Sequence, residues 1–183
     1  MREMRRKDRQ ITDPEKIRDI ILDSQCCRLG FYDDGEVYIV PMSYGYAEED
    51  GKQVFYFHSA GEGRKVDLVK KAPKVGFELD TGYRLQAEGP AHECTAAFQS
   101  VIGTGVTEFV TGIEEKIRAL DCIMVHYRGK AEGNYPADLL ERVCIFKMTV
   151  TELACKEHEL IRNAPDGDSV GCVFVCKISV FPA

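Results

Sequence analysis

The sequence predicts a mainly β protein, a small antiparallel barrel with short flanking helices, on three observations. About six apolar or alternating runs read as strands, most of them joined by hairpin-type turns. The longest run carries Gly103 and Gly105, placed where a barrel strand bends. A doubly wound α/β fold is disfavoured, because strands and helices do not alternate regularly along the chain.

Each element has its own signal. Thr12-Asp13-Pro14-Glu15 is a capping-box start with proline in the first turn, and Ile17, Ile20 and Ile21 give one apolar stripe, which predicts a helix over 13–24. Cys27 to Phe31 reads as a strand, and Asp33-Asp34-Gly35 as a hairpin turn. Val37 to Tyr46 is a long strand, nearly all apolar at first, as expected when both faces are covered; Val54 to His58 follows as a third. Val66, Leu68 and Val69 give helical spacing that stops before Pro73. Val75, Phe77 and Leu79 alternate as a half-buried strand, and Phe98 to Val110 forms the next. Thr111 to Glu114 repeats the capping box ahead of a face made by Ile113, Ile117, Leu120 and Met124. Ala137 to Glu141 reads as one helical turn, and Cys144, Phe146, Met148 and Val150 alternate in a closing strand.

With 183 residues, 44% of them hydrophobic, the chain can bury a real core in one domain. No apolar run approaches the ~20 residues of a bilayer-spanning helix, and the basic N-terminus has no apolar segment behind it, so a cytoplasmic protein without a membrane partner is expected. Net charge is −6; the first ten residues carry five cations against two carboxylates, +3, leaving −9 for the rest. An acidic body argues against nucleic acid as main partner. The eight cysteines read as reduced, packed thiols. A metal reading of Cys155 and His158 with Cys172 and Cys176 is disfavoured, since the last two lie ~13 Å apart if on one strand.

The most informative segment is Phe57-His58-Ser59-Ala60-Gly61-Glu62-Gly63-Arg64-Lys65. A strand ends, small residues turn the backbone, and a helix begins with two cations at the end that disfavours them. A phosphate there would reverse the sign, meeting backbone N–H groups, the Ser59 hydroxyl and the Arg64 and Lys65 charges. A solvated loop with two surface cations is the alternative. His58, at the strand end, reads as a ligand contact or proton donor, or as an ordinary exposed histidine. Walker and dinucleotide-binding glycine motifs are absent.

Those residues, with the opening MRRKDRQITDPEKIRDIILDSQCCRLGFYDDGEVYIVPMSYGY and the stretches FHSAGEGRKVDLVKKAPKVGFELD, FQSVIGTGVTEFV and EEKIRALDCIMVHY, resemble the pyridoxamine 5′-phosphate oxidase-like flavin-binding proteins, and more narrowly the 5-nitroimidazole resistance branch. The resemblance spans residues 4 to about 158, so 1–158 would be the FMN-binding domain and 159–183 a tail of unclear role. It implies an FMN-binding split β-barrel, a homodimer with FMN in a cleft between subunits. Phe57, His58, Ser59, Arg64 and Lys65 match the segment around the phosphate and ribityl chain. Pro41, Met42, Ser43 and Tyr44 match the strand end along the isoalloxazine ring, and Ser100 and Val101 a later strand near the phosphate end. Gln99 stands where relatives often place a basic residue, and Met42-Ser43 replaces Leu-Asn or Leu-Trp.

The resemblance further implies an FMN-dependent oxidoreductase taking electrons from NAD(P)H to a small acceptor such as a nitroaromatic, with His58 as the candidate catalytic residue. The competing expectation is a non-catalytic binder of flavin, haem or pyridoxal phosphate. The apolar run Val170 to Cys176 is expected to pack on the barrel or on the partner subunit.

Overall fold

A computed structural model describes residues 3–87 and 90–159. Strands β1 (Gln10–Ile11), β2 (Cys27–Asp33), β3 (Glu36–Met42), β4 (Gly45–Glu49), β5 (Lys52–Ser59), β6 (Lys74–Gln86), β7 (Thr95–Val110) and β8 (Cys144–His158) form one antiparallel sheet. Helices α1 (Pro14–Asp23), α2 (Arg64–Lys71), α3 (Ile113–Arg128) and α4 (Ala137–Arg142) fill the connections. The strand order is β3-β2-β6-β7-β8-β5-β4, with β1 added on β8. Residues beyond 159, including Cys172, Cys176 and the run from Val170, lie outside the described residues. No described helix is long and apolar enough to cross a membrane.

The sheet curls around one interior. Leu29 and Phe31 of β2, Phe55 and Phe57 of β5, Phe77 and Leu79 of β6, Val101 of β7 and Phe146 and Met148 of β8 meet there, all at most 4% exposed. The α1 stripe Ile17, Ile20 and Ile21 and the α2 residues Leu68 and Val69 close it. Each such side chain contributes ~1.5–3 kcal/mol by leaving water, so these residues dominate stability. A smaller cluster, Val54, Tyr56, Val110, Ala119 and Ile145, lies on the other side of β5, under α3.

Eight strands replace the expected six because β1 is a two-residue addition and because 37–46 divides into two strands. The break follows Met42. Tyr44 turns inward, its hydroxyl donating to the carbonyls of Ile21 and Ser24. At Gly45 the backbone meets α3 so closely that a Cβ would lie 2.5 Å from the Cys122 carbonyl carbon. The expectation that both faces of this segment are covered is corrected: Met42 is buried, but Val37 and Ile39 on the opposite face are 72% and 63% exposed.

Two helix starts also differ. Asp13 is the N-cap of α1, accepting from the Glu15 N–H at 3.1 Å, while Gly112 precedes α3 with no side-chain cap. The buried positions of α3 are Ala119 and Ile123, and Ile113 is 62% exposed. The small Ala119 and Gly45 let helix and sheet approach closely, and that contact sets the helix rotation instead of the larger residues of the Ile117/Leu120/Met124 stripe.

Candidate functional site

β5 is apolar through Phe57, which is fully buried and stacks on Phe146 with ring centroids 5.2 Å apart. The strand's alternation then separates the next two residues. His58 continues the Tyr56 side and is exposed; Ser59 continues the Phe57 side, where it is the Cα partner of Cys144. The Ser59 Oγ is buried and has no hydrogen-bond partner among the described residues. A buried hydroxyl left unpaired costs ~1–3 kcal/mol, so this atom is a site looking for a partner.

Four residues on, Gly63 adopts φ 117°, ψ 165°, a conformation suited to glycine, and turns the chain into α2. No side chain caps that helix start; the Val66 and Asp67 N–H groups bond the Gly63 carbonyl, which leaves those of Arg64 and Lys65 as the uncapped donors. Lys65 is half-buried and has no carboxylate partner among the described residues; its charge, after those of Lys116 and Lys70, acts on the thiol of Cys144, across the ladder from Ser59. Burial outweighs that effect and pushes the Cys144 thiol up, so it stays protonated at neutral pH.

Arg64 is held differently. Its Nε donates to Asp33 Oδ2 at 3.0 Å and its Nη2 to Glu36 Oε2 at 3.2 Å, with the guanidinium 4.8 Å above the Tyr38 ring. At the far end of α2, Lys71 Nζ lies 2.5 Å from Asp34 Oδ2 and 3.6 Å from Asp33 Oδ1. The Asp-Asp-Gly-Glu turn between β2 and β3 thus clasps both ends of α2. Asp33, Glu36 and Tyr38 were not among the expected site residues; three carboxylates within four positions, with cations at both ends of the following helix, were the available signal.

The remaining candidates occupy another level of the sheet. Met42, Cys27, Leu79, Val101 and Cys155 form one continuous row of Cα partners. Pro41 and Ser43 are exposed beside it, and Ser100 is 8% exposed opposite Asp80 and Lys156. The Tyr44 N–H is taken by the Tyr127 hydroxyl at 3.2 Å, and burial pushes the Tyr44 phenol well above its ordinary range, so this side chain belongs to the core. Gln99 donates to Glu157 at 3.0 Å. From Val101 to Phe109, whose partner Phe146 also pairs with Phe57, β7 runs eight residues. At about 3.3 Å each that is a path of roughly 26 Å. The chain therefore groups Ser59, Arg64 and Lys65 at one end, and Met42, Ser43, Ser100 and Val101 towards the other.

Comparison with known proteins agrees with this architecture. The family model described as pyridoxamine 5′-phosphate oxidase matches residues 13–157. Among solved structures, a candidate 5-nitroimidazole antibiotic resistance protein from Bacteroides thetaiotaomicron is 31% identical over 81% of this chain and 86% of its own, with a TM-score of 0.70. The flavocytochrome Anf3 from Azotobacter vinelandii shares the fold at 16% identity, with a TM-score of 0.69 over 96% of this chain and 92% of its own. An FAD- and haem-binding protein from Mycobacterium smegmatis does so at 13% identity, with a TM-score of 0.71 over 87% and 77%. No curated protein matches the chain. The curled antiparallel sheet, the strand-to-helix turn with its cation pair, and the match over most of the chain make this protein a member of the pyridoxamine 5′-phosphate oxidase family.

Proposed function

We propose that this protein is a cytoplasmic FMN-dependent oxidoreductase, active as a homodimer, that reduces a small nitroaromatic-like acceptor with electrons from NAD(P)H. The observation that carries the reading is the buried, unpartnered Ser59 Oγ beside an uncapped helix start bearing Arg64 and Lys65. A phosphate suits this donor set: a hydroxyl, backbone N–H groups and two cations, all favouring a dianion. When bound, the flavin supplies the electron transfer itself.

The chain's own residues bind and orient. Ser59 and Lys65 hold the phosphate from the barrel side, and Arg64 completes the charge. Pro41, Met42 and Ser43 offer backbone groups along the ring, and Ser100 and Val101 close the opposite wall. His58, exposed on the other side of β5, is the candidate group for handing a proton to an acceptor arriving from solvent.

The two-level separation along β7 supports a dimer, since it exceeds what one flavin spans and a partner can supply the second set. An unsatisfied apolar surface supports it too. Val37, Ile39, Ile102 and Val106 lie exposed on the outer face of the sheet, and Ile39 lines a depression of about 360 Å³ with Gly30, Gly76, Phe77 and the ion-paired Arg28 and Glu78. Exposed apolar residues clustered with polar neighbours in this way mark interaction surfaces.

Non-catalytic flavin, haem or pyridoxal phosphate binding is the second reading, and one observation favours it: His58 projects away from Ser59, so the histidine next to the anchor in the chain does not share its face. Titration with FMN, followed by flavin absorbance and then by NAD(P)H oxidation with a nitroaromatic, tests both. Binding with turnover is expected; binding without turnover selects the second reading, and absence of binding removes both flavin readings.

A further inference from the structure

Resting on the flavin-phosphate reading of the α2 start, we propose that Asp33 and Glu36 are specificity-determining residues of the site: they compete with the ligand's phosphate for Arg64 and so set how strongly the protein prefers a phosphorylated flavin over an unphosphorylated one. Asp33 and Glu36 are Cα partners flanking the turn at Asp34 and Gly35, whose φ angles are 49° and 99°. Paired residues of an antiparallel ladder project to one side, so both carboxylates reach the same guanidinium. Arg64 is satisfied on three sides, by Asp33, Glu36 and the Tyr38 ring. Lys65 is not, and Ser59 is not. The two neighbouring cations therefore have different roles. Lys65 and Ser59 form the standing anchor, while Arg64 joins an anion only by giving up carboxylate contacts it already has.

Both contacts are solvent-accessible: the Arg64 side chain is 46% exposed, Glu36 76% and Asp33 23%. Exposed pairs of this kind are weak, so a phosphate dianion can displace them at a modest loss of affinity. Riboflavin, which lacks the phosphate, has nothing to gain from Arg64 and is indifferent to the competition.

The test measures FMN and riboflavin binding by fluorescence quenching for the wild type, Glu36→Gln, Asp33→Asn and the double variant. Thermal unfolding is followed alongside, in phosphate and in chloride at equal ionic strength. FMN should bind about threefold tighter to each single variant and about tenfold tighter to the double one, with riboflavin unchanged. Inorganic phosphate should raise the melting temperature of Glu36→Gln more than that of the wild type. Unchanged FMN-to-riboflavin preference, or weaker FMN binding in the variants, overturns the proposal while leaving the flavin reading in place. A larger phosphate effect in Glu36→Gln with no flavin binding in any variant supports the competition and removes the flavin reading. No binding and no phosphate effect overturn both. Glu36 is exposed enough that its variant folds, which keeps the test decisive if Asp33→Asn loosens the turn.

Discussion

Ser59 and Cys144 are Cα partners on the last rung of the β5–β8 ladder, and the Ser59 hydroxyl is buried without a hydrogen-bond partner among the described residues. An unpaired polar atom lowers stability unless a ligand satisfies it. Ser59→Ala should therefore raise the melting temperature of the ligand-free protein by a few degrees, corresponding to about 1 kcal/mol, while weakening FMN binding about tenfold. Differential scanning fluorimetry and flavin titration read the two opposed effects; a fall in both would make Ser59 a purely structural residue.

Ile39→Asp places a charge in the exposed apolar face around Gly30 and Gly76. Light scattering coupled to size exclusion should show a dimeric wild type and a monomeric variant, and the variant should lose FMN binding. A monomeric wild type that binds FMN would contradict the two-protomer site.

At Gly45, a Cβ would meet the backbone of Cys122 and Ile123 at 2.5 Å. Neither is the flexible end of a side chain, so Gly45→Ala must push α3 off the sheet. A loss of about 1–3 kcal/mol in denaturant unfolding is expected, larger than for Gly61→Ala, where a Cβ meets nothing within 4 Å.

His126 donates from Nε2 to the Ser24 carbonyl at 2.9 Å, and its ring lies 4.4 Å from that of Tyr44. Burial holds its pKa below the ordinary histidine value, more than the Ser24 bond raises it. The folded state thus prefers the neutral ring, and the unfolded chain takes the proton first. Its contribution to stability is complete above about pH 6.5 and is lost as pH falls through the folded-state pKa. Between pH 7.5 and 5.5 the denaturation midpoint of the wild type should fall more than that of His126→Gln.

Much of this fold was legible in the sequence, because local signals and tertiary outcome agree. The stripe Ile17/Ile20/Ile21, the alternation Val75/Phe77/Leu79 and the helix ending before Pro73 all appear where their periods place them. Misreadings cluster where close approach overrides size: at α3, Ala119 is fully buried and Ile113 is exposed. The strand from Val37 differs for another reason: an apolar run does not say whether the rest of the chain covers both of its faces, and Val37 and Ile39 stay exposed. At the site, the cation pair was visible in Arg64-Lys65, but the clasp on Arg64 was not. Asp33 and Glu36 lie 31 and 28 positions away, and only the folded hairpin delivers them.

The two-residue period of β5 has a consequence for how such a protein diversifies. Position 59 answers to the inside of the barrel and position 58 to the outside, so a substitution at 58 changes what an incoming molecule encounters without disturbing the foot we propose for the nucleotide. Reactivity can drift across descendants of this scaffold while the attachment stays fixed, whereas a single-residue deletion in β5 would exchange the two duties and abolish both.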